Sequence, residues 1–87
     1  MHEMSLLADL FKKLNALSAA EGVDRVTRVD LHVGVLAHIS PEHLRGHFVD
    51  AARGTAVEGA RLQITLGTDP QAEDAQSIRL ISVEVEP

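Results

Sequence analysis

The sequence contains no cysteine, tryptophan or tyrosine, and Phe11 and Phe48 are its only aromatic residues. Without cysteine, these residues cannot form a disulfide scaffold, a thiolate zinc site or a cysteine nucleophile. With so few aromatic side chains, the hydrophobic core must be built mainly from aliphatic residues. The composition therefore excludes a disulfide-stabilised domain and any cysteine-based catalysis.

Long apolar runs and an excess of positive charge are also missing. No stretch approaches the roughly 20 apolar residues that span a membrane, and no basic segment precedes an apolar run, so we expect a cytoplasmic protein. The net charge is −5 and the eight Lys and Arg residues are scattered along the sequence, which argues against nucleic acid as a partner. The sequence contains neither a glycine-rich phosphate loop nor a nucleophile motif, so we do not expect an enzyme.

The residues that are present suit one small folded domain over residues 1–87, with 45% hydrophobic and 24% charged residues. Apolar residues at three- and four-residue spacing predict a helix over residues 4–21, which Gly22 ends. A second helix is predicted from Pro41 to near Arg53, with Ser40 as its N-cap.

Alternating apolar and polar residues predict three strands, over residues 27–35, 61–66 and 78–86. The alternation changes parity between Leu80 and Ile81, which predicts a β-bulge. Residues 67–77 contain no large apolar side chain, so we expect a polar loop whose acidic residues are simply solvated. Because the second helix can connect parallel strands, we predict an α+β fold, with two helices packed on one face of a three-stranded mixed sheet.

The start of the chain carries the most informative chemistry. The α-amine of Met1, the amide nitrogen of His2 and its imidazole can close two adjacent chelate rings around one metal ion. Such a planar, nitrogen-rich ligand set suits Ni(II) or Cu(II) better than Mg(II) or Ca(II). Because histidine is too large to favour removal of the initiator methionine, we expect the amine of Met1 to remain. Alternatively, Glu3 only complements a helix dipole and His2 is solvated.

The other histidines are weaker candidates for a metal site. His43 and His47 are four residues apart and so share one face of the second helix, but the spacing offers no third ligand. Two exposed helix histidines are the favoured interpretation. His38 is expected in a loop, and His32 is expected to be a solvated residue on the polar face of the first strand.

Several short motifs in the same order resemble the HypA family of nickel-delivery proteins for hydrogenase maturation, some of which also serve urease. These motifs are Met-His-Glu-Met-Ser-Leu at residues 1–6, Arg-Val-Thr-Arg-Val at 25–29, Ile-Ser-Pro-Glu-His-Leu at 39–44 followed by Phe48, Gly-Thr-Ala-Val-Glu-Gly-Ala-Arg-Leu at 54–62, and Ile-Arg-Leu and Val-Glu-Val-Glu in the last strand. The resemblance covers residues 1–66 and 78–86. It implies a metal site at Met1, His2 and Glu3 that binds Ni(II), with Glu3 as a supporting acid.

The sequence departs from this family at two places. Family members usually insert a zinc-binding domain with two Cys-x-x-Cys motifs between the last two strands, where this chain has only residues 67–77 and no cysteine. No zinc is therefore expected. Ser40 stands where relatives often have an acidic residue, although Glu42 lies close by.

The resemblance implies a nickel metallochaperone-like protein that delivers Ni(II) during maturation of a nickel enzyme, in particular a [NiFe]-hydrogenase. The implied partners are the maturation GTPase of this family and the precursor of the hydrogenase large subunit. An alternative is a divergent paralogue that acts as a protein-interaction module without metal transfer, through the apolar surface that Leu6 adds to the first helix. The oligomeric state is left open between a monomer and a weak homodimer.

Overall fold

The computed structural model describes the backbone of residues 2–86 and the side chains of residues 5–86. Its elements, in chain order, are α1 (His2–Glu21), β1 (Val26–Val33), α2 (Pro41–Ala52), β2 (Arg61–Leu66) and β3 (Ile78–Val85). Both helix ends lie where the sequence predicts them. Gly22 and Gly54 follow the two helices with φ of 64° and 77°, in the left-handed region that glycine adopts without strain.

Strand β1 lies at the centre of the sheet, in the order β2-β1-β3. It pairs in parallel with β2, which places Val29 opposite Leu62, and antiparallel with β3, which places Leu31 opposite Leu80. The mixed three-stranded sheet is therefore confirmed. Its parallel pair is connected through α2, as a parallel crossover requires.

The core lies between the helices and one face of this sheet. Its buried members come from α1, β1, α2 and β2 together, and include Leu14, Val29, Leu44 and Phe48, each at most 1% exposed. Alternate residues of β1 face the opposite side, where Arg28, Asp30 and His32 are only half-buried. Because both helices contribute to one core, the predicted packing of two helices on one sheet face is confirmed.

The predicted bulge in β3 is present. Asp30 pairs with Ser82 and Leu31 pairs with Leu80, so Ile81 has no partner residue on β1. The extra residue restores the inward orientation of the apolar side chains on both sides of it. Ile81 itself is 51% exposed.

Strand β1 ends two residues earlier than its alternation predicts. The N–H of Ala37 donates to the carbonyl of Gly34, and the N–H of Leu36 donates to the carbonyl of Ala75, so the backbone turns away from β2. Val35, predicted as a buried strand residue, is therefore 43% exposed. A similar difference occurs in α2, where Ala51 is exposed although it belongs to the predicted apolar stripe.

Residues 67–77 connect β2 to β3 and pack against the end of β1. The N–H of Gly67 donates to the carbonyl of Val33 at 2.8 Å, and the N–H of Gly34 donates to the carbonyl of Ser77 at 2.9 Å. Ala75 is 4% exposed because its backbone lies directly on Gly34. The segment is thus a tethered connection, and not the wholly solvated loop that its composition predicts.

Candidate metal centre

The predicted ligands Met1, His2 and Glu3 lie at the edge of what the structure covers. Met1 lies outside the described residues, and so do the side chains of His2 and Glu3. Helix α1 begins at His2. The first N–H groups of a helix have no acceptor within the helix, so loss of the His2 amide proton on chelation would break no intrahelical hydrogen bond.

Helix α1 contributes to the core against the sheet and is followed along the chain by β1. Its last turn lies beside the start of β1 and the end of β3, where Ser18 and Leu17 line one small cavity with Val26 and Val83. The hydroxyl of Ser18 donates to the carbonyl of Val23 at 2.7 Å, which fixes the turn into β1. The 20 residues of α1 extend for about 30 Å from this corner.

His43 and His47 lie side by side on the exposed face of α2. Their ring centroids are 6.5 Å apart and the rings meet edge to face. Among the residues that the structure describes, no group of three or more His, Asp or Glu side chains is placed to hold a metal ion. The structure therefore agrees with the interpretation that the sequence favours: His43 and His47 are two exposed helix histidines, with too few neighbouring ligands for a metal site.

His32 differs from its predicted state. It lies on the polar face of β1 as expected, but its Nδ1 is buried and has no hydrogen-bond partner among the described residues. Oδ2 of Asp74 lies 3.7 Å from that nitrogen, too far for a hydrogen bond, and 3.2 Å from Nε of Arg79. The prediction of a solvated histidine is therefore wrong, because the 67–77 connection covers the ring.

The acidic residues of the 67–77 connection are likewise more than solvating groups. Oδ1 of Asp69 accepts a hydrogen bond from the N–H of Gln71 at 2.9 Å, which closes a local turn. Asp74 links the connection to β3 through Arg79, and its own carbonyl accepts from the hydroxyl of Ser77 at 3.1 Å. These contacts correct the prediction that the loop acids are simply solvated.

The start of α2 has the structure that its sequence predicts. The side chain of Ser40 accepts a hydrogen bond from the N–H of His43 at 3.0 Å, and Pro41 occupies the first helical turn. His38, just before it, is an exposed loop residue with a positive φ of 56°. Ser40 is therefore the N-cap of α2.

The polar face of the sheet holds a charged network that joins β1 to β3. The hydroxyl of Ser82 donates to Oδ2 of Asp30 at 2.7 Å, and Nε of Arg28 donates to Oδ1 at 2.9 Å. The Ser82 hydroxyl and then the Arg28 guanidinium lower the pKa of Asp30, while the hydrogen bond to Asp30 raises the pKa of Arg28. Both interactions favour the ionised carboxylate, so this network stabilises β1–β3 pairing.

Comparison with known proteins decides the family. Residues 1–85 match the family described as "Hydrogenase/urease nickel incorporation, metallochaperone, hypA". The chain belongs to this HypA family. The resemblance inferred from its short motifs is therefore confirmed.

Individual HypA relatives align with about three quarters of the chain. The hydrogenase maturation factor HypA of Chlorobium limicola is 47% identical over 64 residues, which are 74% of this chain and 55% of the relative. The corresponding proteins of Acidithiobacillus ferrooxidans and Desulfitobacterium hafniense are 42% and 41% identical and are matched over 57% and 58% of their lengths. The chain thus spans somewhat more than half of the curated relatives it matches.

The fold is also found in a solved HypA structure. The solution structure of the Ni metallochaperone HypA from Helicobacter pylori superposes with a TM-score of 0.80, covering 98% of this chain and 97% of the solved one. At 17% sequence identity this likeness establishes the fold alone. Among the helices that the structure describes, none is long and apolar enough to cross a membrane.

Proposed function

We propose that this HypA chain binds Ni(II) at its N-terminus and delivers it during maturation of a nickel enzyme, in particular a [NiFe]-hydrogenase. The observation that carries this proposal is the extent of the family match, which begins at residue 1 and so includes Met1, His2 and Glu3. Nickel is the cargo of the family as its description names it.

The proposed ligands form a compact chelate. The amine of Met1, the amide nitrogen of His2 and its imidazole would supply three nitrogens in one plane with the ion, as suits Ni(II). The carboxylate of Glu3 would act from the next position, either as a ligand or by orienting one. Because each nitrogen must lose or lack its proton, affinity should increase with pH.

Delivery requires a site from which the ion can leave. A site at a chain terminus is open on one side, so a receiving protein can replace its ligands one at a time. A closed cage with four protein ligands holds its metal much more tightly. The proposed recipients and partners are the maturation GTPase of the family and the precursor of the hydrogenase large subunit.

Nickel titration of four proteins tests this site. The first has the free native N-terminus, the second carries His2→Ala, and the third has an acetylated N-terminus. The fourth carries both His43→Ala and His47→Ala, and serves as the matched histidine control. Affinity is measured by competition with a chromophoric chelator, and visible circular dichroism reports nickel bound to a deprotonated amide.

The expected result is strong loss of affinity in the second and third proteins and no change in the fourth. Acetylation should disrupt binding without removing a side chain, because it takes the α-amine out of the chelate. Equal affinity in the first three proteins would refute the N-terminal site. Loss confined to the fourth protein would instead assign nickel to the two histidines of α2.

A further inference from the structure

Three arginines that are far apart in the sequence line one groove at the edge of the sheet. Arg28 of β1, Arg45 of α2 and Arg61 of β2 surround an open cavity of about 360 Å³. They are three of only eight Lys and Arg residues in a chain whose net charge is −5. We call this cavity the arginine groove. Its positive charge is opposite to that of the chain as a whole.

The fold itself produces the convergence. Arg28 and Arg61 are partners in the parallel pairing of β1 with β2, so their side chains leave the same face of the sheet. Arg45 approaches from α2, and its guanidinium donates to the carbonyl oxygen of Leu62 in the edge strand. Each arginine is thus held by a different element, and none of the three lies at a chain end.

Most of this charge is not neutralised within the molecule. Arg28 is paired with Asp30, Nε to Oδ1 at 2.9 Å. Arg45 and Arg61, in contrast, form no ion pair with any carboxylate in the part of the chain that the structure describes. None of the described residues that line the groove is acidic. Two exposed guanidinium groups therefore remain available to an external anion.

The floor of the groove is apolar. Phe48 and Leu62 form it and are 1% and 7% exposed, and Val49 stands on its rim with 54% of its surface exposed. Strand β2, which forms one wall, is paired on one side only. A small inorganic anion would use the guanidinium groups alone. A peptide with acidic and apolar side chains in alternation would use the guanidinium groups and the exposed apolar rim together.

We propose that the arginine groove is a docking site for an extended acidic segment of a partner protein. Carboxylates of that segment pair with Arg45 and Arg61, and an intervening apolar side chain packs against the exposed Val49. Guanidinium forks match carboxylate geometry, and paired charges at an interface set orientation and increase the association rate. This site is separate from the proposed nickel ligands, so either can fail without the other.

A two-dimensional nitrogen–proton NMR titration tests the groove. The probe is a blocked pentapeptide in which glutamate and valine alternate, and a blocked peptide with glutamine in place of glutamate is its neutral counterpart. The variants are Arg61→Glu, Arg45→Glu and, as a control with the same charge change, Arg53→Glu. Arg53 lies just after α2, where it pairs with Asp50, and does not line the groove.

The acidic probe should shift the amide signals of residues 60–63 and of Val49, and the neutral probe should not. Arg61→Glu and Arg45→Glu should each weaken binding about fivefold or more, and Arg53→Glu should leave it within twofold. If Arg45→Glu fails to fold, Arg61→Gln provides a second test. It removes one positive charge from a side chain that forms no ion pair within the described residues.

Four results would overturn the proposal. The first is an absence of shifts at these residues, and the second is equal weakening by Arg53→Glu, which would indicate a general charge effect. The third is equal binding of inorganic phosphate at the same concentration, which would indicate a simple anion site. The fourth is self-association of the chain, measured by analytical ultracentrifugation, that Arg61→Glu abolishes. This result would assign the groove to a second copy of the chain and exclude a separate partner.

Discussion

The ring centroids of Phe11 and Phe48 lie 5.2 Å apart, with the rings inclined at 37°. This contact joins α1 to α2, and these two residues are the only aromatic residues in the chain. Tilted aromatic pairs at this distance contribute about 0.5–1.5 kcal/mol beyond the area they bury. The two helices are therefore connected by a contact that no other pair of side chains in this sequence could reproduce.

Removal of the Phe48 ring should strongly destabilise the domain. The side chain is 1% exposed, so Phe48→Ala creates a cavity as well as removing the contact with Phe11. We expect the free energy of unfolding to decrease by about 3–5 kcal/mol, measured by urea denaturation. Val49→Ala is the control, because its side chain is 54% exposed and should change stability by less than about 0.5 kcal/mol.

Two glycines should respond to alanine in opposite directions. A Cβ on Gly34 would collide with the backbone carbonyls of Asp74 and Ala75, whereas a Cβ on Gly46 would meet no atom within 4 Å. Gly34→Ala should therefore destabilise the protein by about 1–3 kcal/mol. Gly46→Ala, inside α2, should stabilise it by up to about 1 kcal/mol. Thermal unfolding of both variants checks this, and a stable Gly34→Ala protein would contradict the packing of the connection on β1.

Acid should weaken the β1–β3 pairing through Asp30. The hydroxyl of Ser82 and the guanidinium of Arg28 lower its pKa below the ordinary value of 3.8. The unfolded chain therefore binds the proton at higher pH than the folded one. The stabilisation is complete above the ordinary pKa and is lost as pH falls through the lower, folded value.

Ser82→Ala should raise the pKa of Asp30 towards 3.8, because it removes the largest cause of the shift. Carbon NMR titration of the side-chain carboxyl measures this directly. The acid dependence of the urea midpoint should decrease at the same time. Thr65→Ala, an exposed change on the same sheet face, should leave the pKa of Asp30 as it is. An unchanged pKa in Ser82→Ala would contradict the hydrogen bond.

Asp74 should determine how firmly the 67–77 connection is held. Asp74→Asn removes the charge that attracts Arg79, with Oδ2 and Nε at 3.2 Å. The N–H of Leu36, which donates to the carbonyl of Ala75, should then exchange with solvent about fivefold faster, as expected for a pair worth at most about 1 kcal/mol. Hydrogen exchange followed by NMR gives the rate. Glu73→Gln is the control because Glu73 is exposed, and equal rates in both variants would contradict this role of Asp74.

Local patterns were sufficient to predict every element of this fold. The alternation through Val29 and Leu31 predicts β1, and the parity change at Ile81 predicts the bulge that the strand register shows. Ser40 and Pro41 predict the start of α2 because capping depends on adjacent residues alone. Such features follow from neighbouring side chains, so one sequence is enough to reveal them.

Features that depend on contacts between distant segments were missed. The buried Nδ1 of His32 and the buried Ala75 result from a loop packing on Gly34, which has no apolar pattern to predict it. The arginine groove was missed for the same reason. Arg45 and Arg61 appear scattered in the sequence and come together only through the position of α2 beside β2. The N-terminal site stays a prediction from sequence and family.

Both ends of the 67–77 connection are hydrogen-bonded to the same peptide unit, the one that joins Val33 to Gly34 at the end of β1. The carbonyl of Val33 accepts from Gly67, and the N–H of Gly34 in that same peptide unit donates to Ser77. Chain of any length inserted between these anchors would start and finish at neighbouring points. The entropy cost of a flexible insertion grows only by about 0.6 kcal/mol for each doubling of length. The geometry thus lets a family gain or lose a whole module here while the sheet keeps its register.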